Sequence, residues 1–77
     1  MSSQQINWGI VGTGAIARTF ARNLAASETG KLLAVASREQ SKAEKFGDEF
    51  SVPKRFGNYE AMLADADVQA VYIATPH

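Results

Sequence analysis

The sequence predicts an α/β fold in which helices alternate with the strands of one open parallel sheet. Three observations support this prediction. Short apolar runs of strand length recur along the 77 residues, amphipathic stretches of helix length separate them, and a glycine-rich turn follows the first run. Strands that alternate with helices pair in parallel through right-handed crossovers. The predicted order of elements is therefore strand, helix, strand, helix, strand, helix, strand.

The first two elements meet at the glycine-rich turn. Residues 6–11 form a short apolar run that ends abruptly at this turn, as a buried strand does. Beyond the turn, Ile16, Phe20 and Leu24 recur at every fourth position. That spacing places them on one face of a helix and predicts an amphipathic helix over residues 15–26.

The next strand and helix complete a strand-helix-strand unit. Gly30 is expected to stop the first helix, and the apolar run 32–36 predicts a second strand that is covered on both faces. Ser41 and Glu44 have the spacing of a capping box. They predict a second helix that runs to about Phe50.

Three shorter elements are predicted in the last third of the chain. Residues 54–56 suit an edge strand, and Asn58 suits the cap of a brief helix around Met62. Asp65 and Asp67 follow in what should be a turn, where they are expected to be solvated. A final apolar run, 70–75, predicts the fourth strand.

These elements predict a three-layered sheet with the strand order 3-2-1-4. The connections that follow strands one and four leave on opposite faces, so the crevice between the carboxyl ends of these strands is the expected ligand site. The first two helices should cover one face, whereas only the short third helix is available to the other, which is left incompletely covered. Strand four becomes an edge with unpaired backbone groups. We therefore expect self-association through strand four or through the uncovered face.

Composition argues against several classes of function. Eight basic and eight acidic residues give a formal net charge of zero, so no broad attraction to nucleic acid or to an anionic membrane is expected. The sequence contains no cysteine, and neither disulfides nor thiolate metal sites are possible. A short polar start and the lack of a long apolar run favour a cytoplasmic protein without a membrane segment. No metal-ligand cluster or catalytic motif is recognised.

The turn after the first strand carries the G-x-G-x-x-A variant of the dinucleotide fingerprint, in residues 12–17. Gly12 permits the tight turn, Gly14 lets the backbone approach a pyrophosphate, and Ala17 lets the helix pack closely on the sheet. Exposed amides at the helix start and the helix dipole favour anionic phosphates. We therefore expect a Rossmann-like dinucleotide site, and a tight turn that holds no ligand is the alternative.

The end of the second strand bears on the choice between NADP and NAD. A protein that binds NAD usually carries an acidic residue there, which accepts hydrogen bonds from the adenine ribose. Here the residues are Ser37 and Arg38, whose hydroxyl and guanidinium suit a 2′-phosphate. This pattern favours NADP, with NAD as the alternative. Arg38 is otherwise an ordinary solvated charge, Glu39 is a second candidate for the ribose, and Lys42 either adds charge or is solvated.

Thr75, Pro76 and His77 follow the fourth strand at the same crevice, where their backbone groups are expected near the nicotinamide ribose. His77 is the sole histidine, but as the terminal residue it is expected to be an exposed end and not a catalytic group. Trp8 and Tyr72 lie in apolar strands, and both are expected to pack.

Three strings of the sequence, at residues 8–17, 35–38 and 71–77, together closely resemble the glucose-fructose oxidoreductase, inositol dehydrogenase and rhizopine-catabolism (Gfo/Idh/MocA) family. Residues 52–60 also resemble members of its dihydrodiol and xylose dehydrogenase branch, which commonly uses NADP. The resemblance implies the nucleotide-binding module of an oxidoreductase. Such an enzyme transfers hydride between nicotinamide and a hydroxyl or carbonyl carbon of a sugar or polyol.

The resemblance also implies which positions adjoin the cofactor. They are Gly12, Thr13, Gly14, Ala15, Ile16, Ser37, Arg38, Thr75, Pro76 and His77. In the family, the catalytic lysine and the substrate domain follow the point where this chain stops. Residues 1–77 are thus expected to form a single, partial dinucleotide-binding domain that is inactive alone. Two alternatives stay open: a fragment that folds and self-associates without binding cofactor, and a unit that holds another phosphate-bearing ligand, such as a nucleotide-sugar.

Overall fold

The structure is a computed structural model, and it describes residues 5–74. In chain order its elements are β1 Ile6–Val11, α1 Ala15–Ala25, β2 Gly30–Ala36, α2 Gln40–Phe50, β3 Lys54–Phe56, α3 Tyr59–Leu63 and β4 Ala70–Ile73. The predicted alternation of strands and helices is confirmed. Within the described range, every helix is too short or too polar to cross a membrane.

The four strands form one sheet in the order β3-β2-β1-β4, and all neighbouring pairs are parallel. This confirms the predicted α/β class and the predicted strand order. β1 lies in the middle, so that its last residue, Val11, pairs with Ala36 on one side and with Ile73 on the other. The register of β1 with β2 shifts once, between Trp8 and Gly9. The carboxyl ends of the three strands consequently meet at the same end of the sheet.

Helices α1 and α2 cover one face of the sheet and enclose the larger core cluster. Its buried members are Ile10, Ala17, Ala21, Val35, Ala43, Phe46, Val52 and Ala74. Phe20 of α1 stacks on Tyr72, with ring centroids 4.1 Å apart, and meets Trp8 edge to face at 5.3 Å. The prediction that Trp8 and Tyr72 pack is confirmed, and the aromatic contacts join α1 to both β1 and β4.

Helix α3 covers part of the other face. Its Met62 is fully buried in a second cluster with Val11, Ala34 and Ala36. Ile73 is the register partner of Val11 and so projects to this same face, yet its side chain is 70% exposed. The predicted incomplete cover of one face is thus observed at β4, the strand farthest from α3 in the sheet.

The start of α3 is capped as predicted. The Asn58 side-chain oxygen accepts a hydrogen bond from the Ala61 amide at 2.7 Å. This satisfies one of the amides that a helix start leaves without an intrahelical partner. The cap fixes where α3 begins, and Tyr59 is therefore its first residue.

The predicted role of Gly30 is wrong. Helix α1 ends at Ala25 with Ala26 as its C-cap, and Gly30 is the first residue of β2. A side chain at Gly30 would come within 2.5 Å of a Leu24 methyl group and 3.2 Å of the Trp8 indole nitrogen. The glycine is needed for close packing between α1 and the sheet, and not for ending the helix.

The predicted capping box at the start of α2 is also wrong. The helix begins at Gln40, and its N-cap, Glu39, makes no side-chain cap hydrogen bond. Ser41 lies inside the first turn, and the Glu44 carboxylate accepts a hydrogen bond from the Gln40 side chain at 2.9 Å. The chain turns into the helix earlier because Ser37 already forms the turn, its hydroxyl oxygen accepting from the Glu39 amide at 3.3 Å.

The prediction that Asp65 and Asp67 are only solvated is wrong for Asp65, whose side chain is 15% exposed, whereas Asp67 is 70% exposed and also forms an ion pair. Lys54, at the start of β3, donates to the Asp65 carboxylate at 2.8 Å and to the Asp67 carboxylate at 3.0 Å. The amide of Asp67 also donates to Asp65 at 2.8 Å. These bonds hold the pKa of Asp65 below its ordinary value and raise the pKa of Lys54. The ion pairs tie β3 to the turn that leads into β4.

Arg55 of β3 lies across helix α2. Its guanidinium donates to Asp48 at 2.7 Å, to Glu44 at 3.2 Å and to the Val52 carbonyl at 2.9 Å. The hydrogen bond to the Glu44 carboxylate is the main cause that raises the pKa of Arg55, and the bond to Asp48 is the next. The side chain occupies the space beside Gly47, where a Cβ atom would overlap the guanidinium group. Arg55 thus fastens the outer strand to the helix that covers it.

Candidate nucleotide-binding site

The turn between β1 and α1 has the backbone that the fingerprint requires. Gly12 has φ 107°, a conformation that favours glycine, and its amide donates to the Ala36 carbonyl at 2.9 Å. Gly14 is the N-cap of α1 and is extended. A Cβ atom built on Gly14 would have no neighbour within 4 Å. Open space therefore lies against the backbone at the position where a pyrophosphate is expected to approach.

Within residues 5–74, no side chain caps the first amides of α1. The N-cap makes no side-chain hydrogen bond, and no acidic residue lies in the first turn. Ala15 and Ile16 are both exposed at this end of the helix. Because the first amides of a helix have no intrahelical acceptor and lie at the positive end of its dipole, this end suits an anion.

The end of β2 places Ser37 and Arg38 beside this turn. Ser37 is only 7% exposed, and its amide donates to the Phe56 carbonyl of β3 at 3.0 Å. Its hydroxyl oxygen accepts from the Glu39 amide, which leaves the hydroxyl hydrogen for a further acceptor. Arg38 is exposed, and its guanidinium carbon lies 5.9 Å from the centre of the Tyr59 ring.

Glu39 and Lys42 form an ion pair at the mouth of the site. The Lys42 ammonium lies 3.5 Å from the Glu39 carboxylate, and both side chains are more than half exposed. A pair with this exposure is weak and easily rearranged. It places a positive charge one helical turn beyond Arg38, and it partly neutralises Glu39, the acidic residue among the described residues that line the cleft.

One cleft of about 320 Å³ joins these groups. Its lining residues are Gly12, Thr13, Gly14, Ser37, Arg38, Glu39, Lys42, Tyr59 and Ala74. Five of the predicted site residues share this cleft, and Ala15 and Ile16 adjoin it at the helix start. The predicted contacts of Thr75, Pro76 and His77 lie outside the described residues.

Tyr59 and Ala74 line the cleft but were not predicted as site residues, and Tyr59 is the one of the two with a polar aromatic side chain. The resemblance of residues 52–60 to the dihydrodiol and xylose dehydrogenase branch covers Tyr59 but does not single it out as a cofactor neighbour. The available signals were the Asn58 cap, which makes Tyr59 the first residue of α3, and the strand order, which puts β3 beside β2. Together they place the start of α3 next to the carboxyl end of β2.

A second recess, of about 310 Å³, continues from the same glycine turn between α1 and α2. Besides Thr13 and Gly14 it is lined by Phe46 and by three basic residues, Arg18, Lys42 and Lys45. Arg18 also forms an ion pair with Glu49 of α2. The positive charge at the site is therefore larger than Arg38 alone provides. The helix pattern gave no sign of this, because it shows only that Arg18 lies off the apolar stripe.

A third recess, of about 290 Å³, lies at the opposite end of the sheet, near the start of β2. Lys31 is the one charged residue among those that line it. This recess adjoins Leu24 and Ala25 at the carboxyl end of α1, where the helix dipole disfavours phosphates. The carboxyl end of the sheet remains the candidate site.

The sequence model of the family described as "Oxidoreductase family, NAD-binding Rossmann fold" (GFO_IDH_MocA) matches residues 6–77. Trans-1,2-dihydrobenzene-1,2-diol dehydrogenase of Mus musculus is 40% identical over 74 residues, which cover 94% of this chain. D-xylose 1-dehydrogenase (NADP(+)) 2 of Haloferax volcanii is 36% identical over 70 residues, which cover 91% of this chain. In both comparisons the chain spans only 22% of the relative's length.

Solved structures give the same result. KijD10, a 3-ketoreductase from Actinomadura kijaniata crystallised in complex with NADP, matches with a TM-score of 0.87 and 33% identity over 94% of this chain and 23% of its own. Scyllo-inositol dehydrogenase from Lactobacillus casei matches with a TM-score of 0.85 and 31% identity over 99% of this chain and 23% of its own. The chain therefore belongs to the Gfo/Idh/MocA oxidoreductase family and carries the Rossmann fold by which that family binds NAD(P).

Proposed function

We propose that this chain is the NADP-binding part of an oxidoreductase that transfers hydride between nicotinamide and a hydroxyl or carbonyl carbon of a sugar or polyol. The observation that carries the proposal is the single cleft that joins the glycine turn after β1 to Ser37 and Arg38 after β2. A dinucleotide needs both parts at once, because its pyrophosphate and its adenine ribose bind at these two places.

The pyrophosphate would lie against the turn and the start of α1. Gly12 and Gly14 leave the backbone uncovered, and Thr13 lies between them in the same cleft. The free amides of Ala15 and Ile16 complete the anion site. Backbone donors are suited to this task because they are fixed by the turn and lose no side-chain freedom when they bind.

The 2′-phosphate of NADP would lie at the end of β2. The Ser37 hydroxyl and the Arg38 guanidinium are the donors, and Lys42 adds positive charge. The choice of NADP is also supported by relatives: the Haloferax volcanii enzyme is named for NADP(+), and KijD10 was crystallised with NADP. NAD remains the alternative, with Glu39 as the acceptor for the ribose hydroxyls.

The nicotinamide end of the cofactor would lie beside the residues that follow β4. Ala74 lines the cleft, and Thr75, Pro76 and His77 come next in the chain. Backbone groups after the strand adjacent to β1 are suited to the nicotinamide ribose, because the crevice of an open α/β sheet lies between these two strands. When bound, the cofactor supplies or accepts the hydride.

We infer that residues 1–77 form one dinucleotide-binding domain. The matched relatives extend far beyond the matched region, since the chain spans 22% of their length. Hydride transfer requires a positioned substrate as well as a cofactor. The substrate-binding domain would correspond to the part of the relatives outside the match, and the 77 residues alone would bind cofactor without turning over a substrate.

Isothermal titration of the 77-residue chain with NADP and with NAD tests the proposal. We expect tighter binding of NADP, and we expect adenosine 2′,5′-bisphosphate to compete with it. Preference for NAD would contradict the role of Arg38. Absence of binding at millimolar concentrations of either cofactor would favour the alternative, a unit that folds and associates only. Binding of a nucleotide-sugar without competition by the bisphosphate would indicate another phosphate ligand.

The variant Arg38→Gln sharpens this test. It should weaken NADP binding about tenfold or more, because a hydrogen bond to a charged group contributes about 1.5–3 kcal/mol, and it should change NAD binding little. Arg22→Gln is the matched control, since Arg22 is an exposed arginine on α1 that does not line the cleft. Equal loss of both cofactors in Arg38→Gln would contradict the assignment.

We also propose that the chain self-associates through β4 or through the uncovered face beside it. The four residues of β4 carry no charge, and Ile73 is 70% exposed on the face that α3 leaves open. Edge strands without charged residues tend to pair with other chains. Static light scattering at tens of micromolar should give a mass above that of one chain, and a strictly monomeric species would contradict the proposal.

A further inference from the structure

We propose that Tyr59 is a positioning residue for Arg38, and that through Arg38 it contributes to the preference for NADP over NAD. The inference rests on the proposed function. The guanidinium carbon of Arg38 lies 5.9 Å from the centre of the Tyr59 ring, within the range of a cation–π contact. Both residues line the cleft that contains the glycine turn.

The Tyr59 ring is supported by the core on the side away from the cleft. It packs against the second core cluster, in which Met62 and Ala36 are fully buried. Its backbone is fixed as well, because Asn58 caps the helix that Tyr59 begins. The ring is therefore a rigid support that reaches from the core into the cleft.

The backbone of Arg38 is held on both sides. The Ser37 amide donates to the Phe56 carbonyl of β3, and the Glu39 amide donates to the Ser37 hydroxyl oxygen. Among the residues that the structure describes, the nearby carboxylate of Glu39 pairs with Lys42. On the side that faces the core, the Arg38 side chain contacts the Tyr59 ring.

A guanidinium group that is already restricted by a neighbouring ring binds a phosphate more tightly than an unrestricted guanidinium group does. An arginine side chain loses rotamer freedom when it binds, and a contact that already restricts it reduces that loss. NAD has no 2′-phosphate at this place and gains nothing from the arrangement. The Tyr59 ring should therefore strengthen the binding of NADP but not that of NAD, and so raise the ratio of the two affinities.

Titration of Tyr59→Leu and Tyr59→Phe with both cofactors tests this inference on the 77-residue chain. In Tyr59→Leu the NADP-to-NAD affinity ratio should fall about two- to fivefold, which corresponds to an exposed cation–π contact. Tyr59→Phe keeps the ring and should keep the ratio. Tyr59→Met, which retains an apolar side chain of similar reach, replaces Tyr59→Leu if the leucine variant does not fold.

The outcomes separate the inference from the proposed function. If the unchanged chain prefers NADP but the ratio is the same in Tyr59→Leu, or if both affinities fall equally, Tyr59 acts only by packing and the inference is overturned. In an Arg38→Gln background, Tyr59→Leu should leave the ratio unchanged, because the partner is gone. If the unchanged chain binds neither cofactor, the proposed function fails and the inference fails with it.

Discussion

The two edges of the sheet are built differently. β3 is a three-residue strand whose Lys54 and Arg55 form ion pairs with neighbouring elements. β4 carries no charged residue and leaves Ile73 largely exposed. Short length and charged side chains are the usual protection of an edge strand, and only the β3 edge has both.

The difference shows that ion pairs fix the β3 edge to neighbouring elements, whereas the uncharged β4 strand has none. At the β3 edge, Phe56 accepts from Ser37 and the next helix brings Tyr59 to the cleft, so the residues proposed to distinguish NADP from NAD lie on the protected side. At the other edge, β4 pairs with β1 on one side and has no second partner strand within residues 5–74. Substitutions at the two edges should therefore have different effects, and the largest is expected at β4.

The charge variant Ile73→Lys should prevent the proposed self-association. It removes an apolar side chain from each copy and places like charges opposite each other in a symmetric contact. Burial of two such side chains is worth about 3 kcal/mol or more, so the dissociation constant should rise about a hundredfold. Sedimentation velocity over a concentration series measures it. Ile16→Lys is the control, because Ile16 is 61% exposed but lies at the start of α1; similar weakening by both variants would refute a specific role of β4.

Removing the arginine that fastens β3 should lower stability. Arg55→Met keeps an unbranched apolar stem but loses the bonds to Asp48, Glu44 and the Val52 carbonyl, and the carbonyl is left without this donor. We expect the thermal midpoint to fall by about a few degrees, and association to increase as the edge loses its charge. Circular dichroism and light scattering are the measurements. An unchanged midpoint would show that the β3 edge does not depend on Arg55.

The substitution Gly47→Ala should stabilise the chain only in a background that lacks the Arg55 side chain. With Arg55 present, a Cβ atom would overlap the guanidinium and displace it, so the gain in helix propensity is offset. In an Arg55→Ala background the Cδ atom and the guanidinium that obstruct this Cβ are both absent, and alanine at position 47 should stabilise the chain by about 0.5–1 kcal/mol. Denaturant unfolding of the four chains in the cycle checks this. The same effect in both backgrounds would mean that the two residues do not interact.

The smallest effect is expected from acid titration of the turn before β4. The bond from Lys54 lowers the pKa of Asp65 from 3.8, so the pair contributes stability above that pH and loses it as the pH falls through the lower folded-state value. Asp65→Asn should therefore make the unfolding free energy less dependent on pH below about 4. Glu60→Gln, an exposed carboxylate on α3, is the control. Identical acid dependence in the Asp65 variant and the unchanged chain would contradict the prediction.

Local patterns in the sequence predicted most of the fold. The apolar run 6–11 gave the bounds of β1, because a buried parallel strand is apolar throughout and the glycine turn ends it. Asn58 gave the start of α3, because its cap bond spans only three residues. The predictions for Gly30 and for Ser41 with Glu44 were wrong, because contacts with Leu24 and a turn at Ser37 decide those positions.

Some residues of the candidate site could be predicted from the sequence, and others could not. The glycine turn and Ser37-Arg38 are readable from the sequence, because each is a contiguous motif next to a strand end. Tyr59, Arg18 and Lys45 were missed, since they reach the site from other elements. Their positions depend on the packing of α1 on α2 and of α3 beside β2.

The sequence by itself determined the order of strands and helices and the glycine turn after β1, because these follow from periodicity and from the conformations that glycine allows. The sheet order was predictable from the parallel crossovers that alternating strands and helices imply. Only the tertiary structure decided which charged and aromatic side chains meet. Lys54 with Asp65 and Arg38 with Tyr59 are pairs separated by many residues along the chain. Such contacts have no local signature, because they exist only once β3 lies against β2 and brings the elements around it together.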